Sequence, residues 1–421
     1  MKIILQIFFS VAIFLSFNCN HSSDEVSTIK FWGFGAEGEK VKLLIEQFEK
    51  ENPSIKVKVQ QIPWTSAHEK LLTAFAGNSL PDVCQLGNTW IPEFVTLKSL
   101  ENLNSLLLKS SIKEENYFSG IFETNKIDSG LYGLPWYIDT RVLFYRKDLF
   151  DSIGWKSPPK NWDELKRVSI LLKNKYPKSY PIFLPANEWN PQIIFGMQNG
   201  SSFLKNNNSF GNFSEEKYKT AFSFYKYFYE NNLSPVGMSQ VSNVYQAFTE
   251  GFIMMYITGP WNIGEFQKRI PQDKQHIWMT AAMPSTDSIY PGASLAGGSS
   301  LVLFKSSKNK IASWKLIEFL TSKKQQLKFY TQTGNLPSNR DAWNDSILIN
   351  NIYTKAFRLQ LENLISTPKV PEWENIAMKV QKSGEAVSVK QSSITEILFN
   401  LDNDVNRILE KRRSLLIKNK K

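Results

Sequence analysis

Between Ile29 and Trp90 the apolar positions switch back and forth between two periods. Ile29 and Phe31 flank a charged Lys30 and lead into the glycines of WGFGAEG, which reads as a strand feeding a loop. Val41, Leu44, Ile45 and Phe48 then recur at helical spacing until Asn52-Pro53 ends the helix. Ile55, Val57 and Val59 alternate with Lys56 and Lys58, as in a half-buried strand, and Pro63-Trp64 closes it. A second helix with Leu71, Leu72 and Phe75 stops at Gly77-Asn78, and Pro81-Asp82 opens a short strand leading to Trp90. Strand, helix and strand in alternation predict an α/β fold with a mostly parallel sheet, whose ligands sit at the loops beyond the strand carboxyl ends. Trp32 to Glu37, Trp64 and Asn88 to Trp90 lie on such loops.

Chemistry-bearing residues concentrate in GLYGLPWYIDTRVLFYR, from Gly130 to Arg146. Gly133 and Pro135 fix a tight backbone path, Trp136, Tyr137 and Asp139 bring two aromatic faces and a carboxylate together, and Val142 to Tyr145 form an apolar run of strand length. On these residues alone the cluster reads two ways: a binding surface where one strand hands over to the next, or an aromatic core corner capped by Asp139.

Further along, Trp162 to Leu172 reads as a helix after Pro158-Pro159, and Tyr218, Ala221, Phe222, Tyr225, Phe228 and Tyr229 make an aromatic helical stripe suited to a core. Asn187 to Asn190 is a Pro-bounded loop that offers Trp189 and Glu188 to a cleft. Val244 to Trp261 gives a helix, a break at Gly251, a buried strand from Phe252 to Ile257, and a Gly-Pro-Trp loop. Gly297 and Gly298 precede a strand running to Phe304; Ala312, Leu316, Phe319 and Leu320 mark a helix; Gly334 to Arg340 (GNLPSNR) is a loop. Ser393 and Glu396 form a capping box before an amphipathic helix with Ile397, Leu398, Leu401 and Val405. There is no internal repeat.

At 421 residues the chain is long enough for two domains, each with a core, and its 13% aromatic share suits a protein that must also cover a ligand. Met1 to Phe17 has one early charge, Lys2, and an apolar stretch too short to span a bilayer comfortably, which is the pattern of a secretory signal. It stops at Asn18-Cys19 before polar residues. A signal core ending on Cys resembles a lipoprotein signal with Cys19 lipidated, although Asn18 stands where a Gly, Ala or Ser is usual. With Cys19 lipidated only Cys84 remains, a small buried hydrophobe in PDVCQL, so packing rather than a disulfide holds the fold. The net charge is +11, or +10 after removal of residues 1 to 18, which hold one Lys and no acid. Its densest run, Lys411 to Lys421, reads as a solvated helix end near an anionic membrane, and no nucleic-acid module accompanies it. His21, His68 and His276 are scattered without metal-ligand spacing, and neither a phosphate loop nor a nucleophile elbow is present.

Six separated stretches, taken in order, carry a family resemblance: FEKENPSIKVKVQQIPW, GNSLPDV with Trp90 and LENLNSLL, GLYGLPWYIDTRVLFYRKDLF, FTEGFIMMYITGPW, GGSSLVLFKSSKNKIASWKLIEFL and TGNLPSNR. Together they resemble family 1 of the extracellular solute-binding proteins, the sugar-binding lipoproteins that serve importers of the ATP-binding cassette (ABC) type. The resemblance implies a two-lobed, periplasmic-binding-protein-like fold of type II, with the chain leaving the first lobe near Pro135 and returning near Pro284. It divides the chain into a signal peptide (1–18), a lipidated tether (19–28), an N-lobe (29–135 and 285–337) and a C-lobe (136–284 and 338–421). It implies a sugar between lobes that close on it, beside Trp136, Tyr137 and Asp139, with Trp261, Gly297, Gly298, Arg340, Trp90 and Glu37 also facing it. It further implies a monomer, anchored on the periplasmic or cell-surface side, that hands its carbohydrate to permease membrane subunits with a separate ATPase, and uses no cofactor, metal or catalytic residue. Members that take disaccharides often carry Asp shortly before the Trp90 position, where this chain has Gly87 and Asn88. Polyols and glycerol phosphate stand as alternative ligands. The residue types suit sugars independently, because a sugar ring has apolar faces for aromatic platforms and hydroxyl edges for carboxylates, amides and Arg. The rival reading from the same residues is a secreted glycoside hydrolase using Asp139 and Glu188 as its carboxylate pair. A surface adhesin would leave the Trp90, Trp136 and Trp261 loops without a shared purpose.

Overall fold

The computed structural model describes residues 26–236, 241–287, 289–389 and 393–418. The expected signal, Cys19 and the last lysines lie outside the described residues, and among these no helix is long and apolar enough to cross a membrane.

The chain builds two lobes, each on its own sheet. The larger sheet has the order Leu336–Pro337, Leu134–Asp139, Gly297–Leu303, Val83–Gly87, Ser27–Phe34, Ile55–Ile62. Ser27–Phe34 runs parallel to both Ile55–Ile62 and Val83–Gly87. The helices Gly35–Glu51 and Trp64–Ala76 supply the crossovers that parallel neighbours require. The expected parallelism ends there: Gly297–Leu303 is antiparallel to both of its neighbours, and Leu336–Pro337 is antiparallel to Leu134–Asp139. These strands arrive after long excursions, so no local crossover fixes their direction. The second sheet, Met255–Thr258, Val142–Arg146 and Trp278–Ala281, is antiparallel throughout.

Leu134–Asp139 stays in the larger sheet to its last residue, pairing with Gly297–Leu301, whereas Val142–Arg146 is the centre of the smaller one. The chain therefore passes from the larger sheet to the smaller at Thr140 and Arg141. The return lies between Ala281, which ends the smaller sheet, and Gly297, which re-enters the larger, and passes Ala296.

The helical periodicities bury what they predict. Val41, Leu44, Ile45 and Phe48 face the core of the larger lobe, and the stripe from Tyr218 to Tyr229 fills the smaller lobe, where Trp162 stacks on Phe224 at 4.0 Å. A further apolar cluster joins Ile138 of the larger sheet to Phe144 and Trp278 of the smaller, so the region of the crossings is itself packed. Ser393 caps Ile394–Ile408 by accepting from the Glu396 amide at 3.1 Å. The basic C-terminal helix Glu410–Lys418 is partly docked rather than wholly solvated, since Arg412 pairs with Glu372 and Arg413 donates to the Ser209 carbonyl.

Candidate functional site

Two adjoining cavities of about 510 Å³ and 250 Å³ lie where the lobes meet, sharing Trp64, Tyr137 and Asp139 in their walls. Glu37, Trp261, Glu265 and Asn335 complete the polar and aromatic wall of the first; Trp90, Arg141, Trp189 and Asn190 line the second. Most of these residues follow strand carboxyl ends. Glu37 comes after Ser27–Phe34, Trp64 after Ile55–Ile62, Trp90 after Val83–Gly87 and Trp261 after Met255–Thr258, while Asp139 ends its own strand.

Asp139, Arg141 and Trp261 form the centre. The Arg141 Nη1 donates to Asp139 Oδ1, and its guanidinium lies 4.6 Å from the centroid of the Trp261 ring. Burial pushes the Asp139 carboxyl up from its ordinary range; Arg141 pulls it down and the charge of Glu37 pushes it up further. Glu188 is raised in the same way, by burial first, with Arg141 opposing and Asp139 reinforcing. Arg141 thus serves as counter-charge to both acids. The Tyr137 phenol is held by Gln85 Nε2 at 2.8 Å and Ser299 Oγ at 3.0 Å, both donating to it, and burial keeps it protonated well above its ordinary range. Glu37 accepts from Asn335 Nδ2 at 2.9 Å and from Trp64 Nε1 at 3.4 Å. Fixed carboxylates and a guanidinium between flat indole faces can bond adjacent hydroxyls while stacking on an apolar ring face.

Seven expected site residues line these cavities: Glu37, Trp90, Tyr137, Asp139, Trp261, Gly297 and Gly298. Two do not. Trp136 is fully buried, stacked on Phe329 at 4.3 Å, at the point where the pairing with Gly297–Leu303 shifts register, whereas Tyr137 and Asp139 line the cavities. Arg340 is exposed and lies over the Phe118 ring at 5.1 Å. The preceding Asn339 bridges to Tyr117 and caps the turn Arg340–Asn344, which sends Arg340 away from the cavities. The glycines act through backbone approach. A Cβ on Gly298, whose φ is +133°, would fall 2.3 Å from the Tyr137 carbonyl oxygen, and one on Gly297 would fall 2.5 Å from that of Asp139. On Gly259 a Cβ would strike the Trp261 ring at 1.9 Å, so this glycine lets the indole fold back over the loop.

Arg141, Asn335 and Glu265 were not singled out by sequence. Arg141 stood in plain view after Asp139, and its strand-end position was the available signal; Asn335 lies inside GNLPSNR, where Arg340 drew attention instead. Trp189, offered to a cleft by its loop, does line the second cavity. Cys84 is fully buried, with its thiol pushed well up by desolvation, as suits a small core residue.

With this geometry established, known proteins can be set beside it. The sugar-binding protein MalE of the phytopathogen Xanthomonas citri superimposes with a TM-score of 0.89 at 44% identity, covering 93% of this chain and 99% of that one. An ABC transporter solute-binding protein of Thermotoga lettingae, bound with α-D-tagatose, gives 0.77 at 25% identity over 91% of this chain and 100% of that one. The galactooligosaccharide-binding protein of Bacillus subtilis is 27% identical over 365 residues, 84% of this chain and 83% of that protein. Residues 35–327 match the model of the bacterial extracellular solute-binding proteins, and with that span in place the chain belongs to that family.

Proposed function

We infer that this protein is the extracytoplasmic sugar-binding component of an ABC importer, taking a mono- or oligosaccharide between its lobes and delivering it to membrane permease subunits. The observation that carries this reading is the convergence of Trp64, Trp90 and Trp261 with the Asp139–Arg141 pair on one cleft built from both lobes. Its volume falls in the range of small-molecule sites. Among the residues lining the two cavities Arg141 is the one cation, against Glu37, Asp139 and Glu265, which favours uncharged saccharides and polyols over glycerol phosphate. Sugar stacking falls to Trp90, Trp261 and Trp64; hydroxyl recognition falls to Asp139, Arg141, Glu37 and Asn335. The lobes, on the sheets described above, close over the ligand by rotation about the crossings at Thr140-Arg141 and Ala296. We further assign a monomer tethered through lipidated Cys19, with binding and no covalent chemistry at the cleft. A thermal-shift screen tests the ligand class, because a ligand that binds only the folded state raises the melting temperature by mass action. Stabilisation is expected from at least one neutral saccharide or polyol and none from sugar phosphates; stabilisation by phosphates alone overturns the assignment. Release of reducing ends from an oligosaccharide by the purified protein would overturn the assignment of pure binding.

A further inference from the structure

The helix Trp373–Ser388 belongs to the smaller lobe, where Trp373, Ile376, Ala377 and Val380 enter the core. Its second residue, Glu374, leaves that lobe. Its Oε1 accepts a hydrogen bond of 2.5 Å from Thr89 Oγ1, in the turn Asn88–Trp90 of the larger lobe, 285 positions away in sequence. The next residue of that turn is Trp90, whose ring lines the second cavity. His68 lies 5.0 Å from the Trp90 ring, Trp64 5.8 Å and Phe34 5.9 Å, and His68 Nε2 is itself held by Glu93 Oε2 at 2.6 Å. The indole is therefore walled in on its own lobe by rings and fixed from the opposite lobe by a carboxylate.

We propose that Glu374 is a positioning residue for the Trp90 platform, reaching across the cleft edge to fix the turn Asn88–Trp90 and so tying the orientation of the indole to the separation of the lobes. The proposal rests on the reading of Trp90 as a ligand platform. A half-buried carboxylate needs a donor, and the one it meets is the Thr89 hydroxyl of the opposite lobe. Burial raises the Glu374 carboxyl, with Glu93 reinforcing; the hydrogen bond from Thr89 and the charge of His68 act against it. These are the groups of the larger lobe through which Glu374 senses how close that lobe lies.

The test needs no ligand. The Trp90 indole N–H resonance is assigned in the full soluble chain by its loss in Trp90→Phe, and followed in Glu374→Ala and Glu374→Gln. Glu374→Ala is expected to move this resonance and speed its exchange with solvent, because the turn that carries the indole loses its tie to the opposite lobe. Glu374→Gln keeps an acceptor and should restore most of the protection, while the Trp136 indole, buried in the other core, stays still in both. Should Glu374→Ala fail to fold, Thr89→Val removes the donor instead and must also shift the Trp90 resonance. An unmoved Trp90 resonance in a folded Glu374→Ala or Thr89→Val protein overturns the proposal, as does equal loss of protection in the Gln and Ala variants. Neither outcome bears on the sugar screen, so the two readings fail separately.

Discussion

Asp139 is pulled in opposite directions by its surroundings: burial and Glu37 favour the neutral acid, and Arg141 favours the carboxylate. The ionised form is the one that accepts two hydroxyl protons at once. Asp139→Ala should cost more than tenfold in saccharide affinity, since a hydrogen bond to a charged group is worth roughly 1.5 to 3 kcal/mol, and Asp139→Asn should cost less because one acceptor survives. The sign of the pH effect follows from the raised carboxyl. Acidification protonates Asp139 sooner than an ordinary aspartate, so affinity begins to fall at higher pH than a free carboxylate would allow, and the acid limb flattens in Asp139→Asn; calorimetric titration across the acid range measures both. For folding the same shift works the other way: the buried charge costs stability above the raised value, and protonation relieves that cost. Trp261 stacks under the Arg141 guanidinium as well as facing the cavity. Trp261→Ala should weaken binding by about 1 to 3 kcal/mol, and unchanged affinity would remove it from the site.

At the scale of elements, the strand Leu134–Asp139 carries a core residue, Trp136, beside the cavity-lining Tyr137 and Asp139. Trp136→Ala empties a core position beside Phe31 and Phe329 and should destabilise the protein by about 3 to 5 kcal/mol in denaturant unfolding, with ligand affinity in the folded fraction little changed. The sequence sets Trp136 and Tyr137 side by side, but the register shift that holds their rings 5.6 Å apart appears only once Gly297–Leu303 is paired. Which of them reaches the cleft was not legible, because it depends on that irregular pairing and on the stacking of Phe329 against Trp136, both supplied from far along the chain. The helices from Gly35, Trp162, Glu216 and Ile394 were readable from their spacing because amphipathic periodicity is local. The antiparallel strands were not, since Gly297–Leu303 finds its partners only after the second lobe is built. Gly297 and Gly298 line the second cavity, and what they allow there is a backbone approach that only the paired strand reveals. Gly298→Ala should lower the melting temperature, because both φ and space exclude a Cβ; a variant as stable as the parent would show that the strand relaxes freely.

For the whole molecule, net charge and site charge point apart. The chain is strongly basic, while the cleft presents acids around one arginine. Net charge therefore said nothing of the ligand. The proposed lipid anchor at Cys19 predicts that Cys19→Ser releases the protein from washed membranes; continued attachment would disprove it. Two lobes contribute to one site, so removal of a residue from either lobe should weaken the same binding event. Isothermal titration calorimetry of a stabilising neutral saccharide into the parent, Asp139→Ala and Trp261→Ala proteins tests this most directly. The expected result is one saturable site in the parent and affinity lost in both variants at unchanged fold; full affinity in both, or no saccharide bound by the parent at all, would contradict it.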